Sequence, residues 1–254
     1  MTELPLFYAS IELLNSERHR NLRLRAPARP FAFAETAQLI PAVVDEYATA
    51  ARDMTVVFAP NGAQWSSVFL CGLKSGSNLY VDADGRWNGA YVPAYLRRYP
   101  FILGDRDGMD PVVCMDARFD GLSEDGEGAR LFDDEGKHAP TLDNAVRLVA
   151  DFANAARRTE EFCRLMAEHD LLKSVTIDVQ GPKGGANASI HGLAIIDEAK
   201  LNALPAEVFE DLRRKGLIGV IYGHLFSLGA TRGLAGKLEA RDKAAAARAD
   251  ATLG

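Results

Sequence analysis

The side chains best suited to recognition chemistry sit in one run, Trp87-Asn-Gly-Ala-Tyr-Val-Pro-Ala-Tyr-Leu-Arg-Arg-Tyr-Pro-Phe101. Aromatic residues make up only 8% of the chain, yet Trp87, Tyr91, Tyr95, Tyr99 and Phe101 gather here around the Arg97-Arg98 pair. Rings offer large, stiff contact area, and guanidinium groups pair bidentately with carboxylates or stack on rings. Tyr91, Tyr95 and Tyr99 are spaced by four, which in a helix brings them near one face. Two readings follow. In the first, Trp87, Asn88, Tyr91, Tyr95, Arg97, Arg98 and Tyr99 form a recognition face for a peptide or protein partner, because aromatics and Arg are the usual anchors of interfaces. In the second, the rings pack the edge of the core while the arginines bridge to acids such as Asp82 or Asp105. The tyrosines suit the scaffold role better, and the Arg pair is the stronger candidate for function.

Other constellations fall short of a defined chemistry. Asp116-Ala-Arg-Phe-Asp-Gly-Leu-Ser-Glu-Asp-Gly-Glu127 spaces acids and a Gly much as a calcium-binding EF-hand loop does. Arg118, however, puts a cation where an oxygen ligand belongs, and Val112–Met115 before it reads as a strand rather than an entering helix. A solvated acidic loop is expected. In Gly181-Pro-Lys-Gly-Gly-Ala-Asn-Ala-Ser189 the Lys precedes the Gly pair, so the order required of a phosphate-cradling loop is missing and a hairpin turn is expected. His19, His138, His169, His191 and His224 are scattered. His224 and Ser227 are three apart and can touch on a helix, but no Gly-x-Ser-x-Gly elbow accompanies them, and a hydrogen-bonded core histidine is the expectation. Cys71, Cys114 and Cys163 form no CxxC pair and sit among apolar neighbours, as small hydrophobes do. No catalytic residue, metal site or cofactor is expected.

With 254 residues, 48% hydrophobic and 25% charged, the chain is long enough for a sizeable core. Its net charge of -6 opposes phosphate-backbone binding, so no nucleic-acid partner is expected. The first residues lack a basic stretch followed by an apolar one, and no segment approaches the length of a membrane span, the longest candidate being 217–228. A cytoplasmic, non-membrane-spanning protein is the expectation, with oligomeric state left open.

The elements that must position these residues read as α+β. Strands are expected at Ile11–Leu14 and Leu22–Arg25, and a helix from Pro41 to about Arg52 with Val43, Val44, Tyr47 and Ala51 buried. Met54–Ala59 and Trp65–Leu73 flank Asn61-Gly62, a strong hairpin signal. A short strand at Asn78–Asp82, a short helix from Pro93, and a hairpin of Phe101–Leu103 with Pro111–Met115 complete one antiparallel sheet over 54–115. Residues 116–140 read as a long surface loop. A long helix to about His169 presents Leu142, Val146, Val149, Phe152, Ala153, Ala156, Phe162 and Leu165 to the sheet, with Thr159-Glu160-Glu161 on its solvated side. Strands at Val175–Gln180 and Ala188–Ile196 and helices at Glu198–Leu204, Pro205–Lys215 and 217–228 follow. One α+β domain over 1–235 and a polar Ala/Lys/Arg-rich tail over 236–254, a solvent helix or a partly disordered segment, are expected.

In these residues the chain resembles the SapC family of bacterial proteins, named from an S-layer locus. The matching pieces are Pro5-Leu6-Phe7-Tyr8, Gly72-Leu73 with Asn78-Leu79-Tyr80, Trp87-Asn-Gly, Tyr91–Phe101, Leu131-Phe132-Asp133, Thr159 with Phe162-Cys163, and Leu217–Gly229. The resemblance implies a soluble bacterial protein, with cell-surface-layer association as the family's inherited label, and supplies no catalytic residues. The leading expectation is a non-enzymatic binding or accessory protein for a peptide or protein partner in surface-layer or peptide-uptake biology. The alternative is an enzyme on a small molecule or peptide, with Asp82, Asp84 or Asp105 converging on the Tyr and Arg side chains of the 87–101 run.

Overall fold

The structure is a computed structural model that describes residues 4–104, 110–179 and 188–253. Its elements in chain order are β1 (Ile11–Leu13), β2 (Arg23–Leu24), β3 (Leu39–Pro41), α1 (Tyr47–Ala50), β4 (Thr55–Asn61), β5 (Gln64–Leu70), α2 (Ala94–Arg97), β6 (Phe101–Gly104), β7 (Val112–Asp116), β8 (Leu122–Ser123) and β9 (Ala129–Arg130). Then come α3 (Pro140–Glu168), β10 (Leu172–Val179), β11 (Ala188–Ile196), α4 (Glu198–Asn202), α5 (Ala206–Arg214), α6 (Leu217–Ser227) and α7 (Thr231–Leu253). The fold is α+β, with antiparallel sheets packed by the long helix α3 and a helical C-terminal region.

The main sheet runs in the order β10-β11-β4-β5-β3. Its centre is the β4–β5 hairpin, whose turn places Gly62 at φ +59°, a conformation that Gly adopts without steric cost. Val56, Val57, Phe58, Phe69 and Leu70 of this hairpin are buried, and Phe162 of α3 packs against Phe58 and Tyr47. The second sheet, β1-β7-β6, lies apart, with Phe101 and Met115 in a separate cluster beside Leu142 and Val149 of α3. A third small sheet orders β8-β2-β9.

Several expectations are corrected. The 54–115 region divides between two sheets, because β7 pairs with β1 from the chain's start on one side and with β6 on the other, rather than with β4 or β5. Pro41 opens no helix: Leu39, Ile40 and Pro41 pair with Leu70, Phe69 and Val68. The strand is at the sheet edge, where Pro's missing N–H breaks no ladder. The helical segment begins only at Val44, in a short 3-10 turn leading into α1. Asn78–Asp82 is no strand; it contributes only an isolated bridge between Val81 and Trp87. Residues 116–140 are more than a surface loop, since they hold β8 and β9 and bury Asp116, Leu131 and Phe132. Thr159 is buried rather than solvated, donating to the Ala155 carbonyl and accepting the Val44 N–H at 2.9 Å. The Gly181–Gly185 turn and Asp105 lie outside the described residues.

Candidate functional site

The Trp87–Phe101 run contains only one turn of helix, α2, with Pro93 at its N-cap. Pro cannot donate an N–H and presets its φ, so it suits a helix start. Because the turn is so short, Tyr91, Tyr95 and Tyr99 do not share a face; each leaves the run in a different direction. Trp87 stacks on Tyr80, with centroids 5.1 Å apart and planes 13° from parallel, and donates its indole N–H to the Tyr91 carbonyl at 2.7 Å. Tyr91 donates its hydroxyl to Glu46 at 2.9 Å and its backbone N–H to Asp53 at 3.1 Å. Tyr95 is buried, donating to the Leu6 carbonyl at 3.2 Å. Tyr99 donates to Asp116 at 3.1 Å and packs 4.3 Å from Phe33.

The two arginines also part company. Arg97 is exposed, with Nε donating to the Val92 carbonyl at 3.0 Å and a terminal nitrogen 3.3 Å from the Tyr91 hydroxyl. Arg98 turns inward, its guanidinium carbon 4.2 Å from the Tyr95 ring centroid and 4.5 Å from that of Phe152. Neither pairs with Asp82, whose Oδ1 instead accepts the backbone N–H groups of Asp84 and Arg86 and closes a turn. Asn88 is exposed; its backbone carbonyl accepts a hydrogen bond from Lys237 of α7.

The acids that do meet the run are Glu46, Asp53 and Asp116, none of which the sequence singles out for this role. Glu46 is buried and accepts from the Tyr91 hydroxyl, the Ala94 N–H at 2.6 Å and the Val43 N–H at 3.0 Å. Burial raises its pKa against those hydrogen bonds, which lower it. Asp116 is fully buried and accepts four hydrogen bonds, from the N–H groups of Ala9, Ser10 and Arg118 and from the Tyr99 hydroxyl. Its place at the head of the acidic 116–127 stretch is the one available signal, and calcium ligation is the wrong use for it; Asp125 and Glu127 pair with Arg25 instead. Among the described residues no group of three His, Cys, Asp or Glu is placed to hold a metal ion.

Burial raises the pKa of Tyr91 to about 12, helped by the Glu46 charge, and raises those of Tyr95 and Tyr99 as well. At neutral pH all these phenols are hydrogen-bond donors and none is a base. A cavity of about 620 Å³ opens beside Asn88, lined by Arg29, Glu35, Asp82, Lys237 and Arg241. Its charges are already engaged. Arg29 pairs with Glu35 at 2.7 Å, and Arg241 donates to the Asn78 carbonyl at 2.9 Å and the Val81 carbonyl at 2.6 Å.

His224 and Ser227 sit together on α6 without forming a nucleophile–base pair. The Ser227 hydroxyl donates to the His224 carbonyl at 2.6 Å and accepts the Val56 N–H at 3.0 Å. His224 Nε2 accepts the Ile196 N–H at 3.0 Å. The imidazole is a core group, as its sequence context predicts.

These features define an antiparallel α+β protein in which an aromatic and arginine-bearing run is tied into the wall of the domain by buried carboxylates and left open along one side. A sequence model of the SapC family matches residues 14–234, and the chain belongs to that family. No curated protein and no solved structure matches the chain. Among the described residues no helix is long and apolar enough to cross a membrane.

Proposed function

We propose that this SapC-family chain is a non-enzymatic binding or accessory protein that holds a peptide or protein partner on the surface around Trp87–Phe101, in surface-layer or peptide-uptake biology and from a cytoplasmic location. The observation that carries the reading is a continuous band of partly open rings. Trp87, Phe31, Phe33, Tyr99 and Phe119 succeed one another at centroid distances of 4.3 to 6.2 Å, and each stays only half-buried. The exposed Arg97 and Asn88 side chains lie on the same run. Stiff rings with an adjacent guanidinium are the composition of interface hot spots. The saturated carboxylates and protonated phenols of the run also favour holding over turnover.

The test is capture of partners from cells of the native host by the tagged full chain and by its Arg97→Ala/Asn88→Ala variant. Both side chains are exposed, so the variant is expected to fold and to lose at least tenfold in recovered partner. Undiminished capture by the folded variant removes the reading. Fractionation of the same cells checks the compartment. The alternative, an enzyme acting on a small molecule or peptide near this run, has the cavity beside Asn88 in its favour and predicts turnover that Asp82→Asn abolishes.

A further inference from the structure

Arg98 carries a charge for which the described residues supply no paired carboxylate. The residue is only 9% exposed. Its guanidinium lies over the rings of Tyr95 and Phe152, with Tyr8 at 5.7 Å. Its Nε is buried and has no acceptor among the described residues, and no carboxylate of those residues pairs with it. Removing a charge from water costs more than a cation over a ring face regains. Rings, moreover, cover the faces of the guanidinium and leave its buried Nε–H without an acceptor among the described residues.

A second observation falls at the same place. Phe7 has φ +79°, in the left-handed region that a bulky residue enters only at a cost. The segment Leu4–Tyr8 that contains it runs across the Arg98 cage. Tyr8 supplies one ring, Phe7 packs 5.9 Å from Tyr95, and the Leu6 carbonyl holds the Tyr95 hydroxyl. Leu4 is 48% and Leu6 42% exposed, so the segment that crosses the cage carries apolar side chains in solvent. A guanidinium fork matches a carboxylate in its plane, and exposed leucines match an apolar body attached to that carboxylate.

We propose that Arg98 anchors a site for a carboxylate borne on an apolar group, the chemistry shared by the chain end of an apolar peptide and a small aliphatic acid. The proposal rests on the binding function above and specifies which group of the partner is gripped. Arg97, turned out to the Val92 carbonyl, takes no part in it.

The full chain labelled with ¹⁵N-arginine gives a direct readout, the Arg98 Nε–H resonance, assigned by its disappearance in Arg98→Lys. It is titrated with hexanoate, hexanamide, and the tripeptide Ala-Leu-Leu as free acid and as amide, with sodium chloride as the ionic control. The expected result is a saturable shift with the carboxylates, at least tenfold weaker with the amides. Tighter binding of the peptide acid identifies a chain end as the natural ligand, and equal binding identifies a small acid. Absence of a carboxylate-specific shift, or an amide that shifts the resonance as strongly, overturns the proposal. Arg98→Lys keeps charge and ring contact but loses the fork, so calorimetry should show hexanoate affinity reduced at least tenfold, and undiminished affinity also overturns it. If that variant does not fold, the acid-against-amide comparison in the unaltered chain still decides. Failed titration with partner capture still dependent on Arg97 and Asn88 removes only the carboxylate assignment. Carboxylate binding without partner capture removes only the partner reading.

Discussion

Glu46 from outside the Trp87–Phe101 run and Gly89 from within it fix its course. Glu46 reaches across the chain to accept from Tyr91 and Ala94 while its other oxygen accepts from Val43, so one buried carboxylate satisfies three donors. Replacing it with Ala strands those donors, each costing about 1–3 kcal/mol when left unpaired in the interior. Glu46→Ala is therefore expected to lose about 3 kcal/mol or more in urea unfolding. Glu46→Gln, which keeps one accepting oxygen, should recover part of that; a Gln variant as unstable as Ala would refute the assignment of these bonds. Gly89 acts through space it leaves empty. A Cβ there would lie 2.8 Å from Asp53 Oδ2, 2.8 Å from Trp87 Nε1 and 2.9 Å from Tyr80 Cδ1. Gly89→Ala must then push Trp87 off Tyr80, at a cost of about 1–3 kcal/mol for overpacking, with a change in Trp fluorescence as its mark. The Trp-Asn-Gly sequence is visible to any reader, but the reason for its Gly is not, since Asp53 and Tyr80 come to it from outside the run.

At the scale of elements, what the sequence shows depends on how local the cause is. The β4–β5 hairpin and α3 were legible because an Asn-Gly turn and a long helical period are properties of neighbouring residues. The division into separate sheets was not, because β1 reaches β7 across most of the first half of the chain. Thr159 defeated the periodic reading for a related reason. Its hydroxyl joins two partners, one on its own helix and one at Val44, and so it is buried on a face assigned to solvent. Of the candidate site, the run itself was legible, while its anchoring acids were not. Glu46 and Asp53 carry no distinguishing spacing, and the spacing that Asp116 heads points to calcium rather than to Tyr99.

Helix α7 gives the same lesson in the other direction. Its composition is polar and Ala-rich, yet Leu234 and Leu238 are buried, Lys237 bonds the Asn88 carbonyl, and Arg241 donates to Ser77, Asn78 and Val81. A single guanidinium thus joins α7 to the loop that leads into the aromatic run. Arg241→Ala removes those bonds and is expected to cost about 1–3 kcal/mol locally. Amide hydrogen exchange should quicken across α7 and residues 77–82 while β4 and β5 stay protected. Unchanged exchange in α7 would show that its leucines alone hold it.

For the molecule as a whole, the controlling titration is that of His224. Its ring lies 5.0 Å from Phe58 of β4 and its Nε2 takes the N–H of Ile196 of β11, so it joins α6 to two inner strands of the main sheet. A nitrogen that accepts a hydrogen bond cannot carry a proton, and Nδ1 is buried without a partner among the described residues. Burial accordingly lowers the imidazole pKa from 6.5 to about 3. The unfolded chain takes up a proton that the folded one refuses, so stability is full above pH 6.5 and falls as the pH drops from 6.5 toward 3. Between pH 6 and pH 4 this one group should remove roughly 2–3 kcal/mol. Carboxylates titrate in part of the same range, so the quantity to measure is the difference between the chain and its His224→Leu variant in urea unfolding at each pH. The variant is expected to be less stable at pH 7, having left the Ile196 N–H unpaired, yet to lose less on acidification, so that the two curves converge. Because β11 and β4 lie inside the sheet rather than at its edge, the loss should appear in the global transition and not as fraying of α6 alone. Parallel curves would mean that His224 takes up its proton equally in the folded and the unfolded chain, and would overturn the placement of its ring against Phe58 and Ile196.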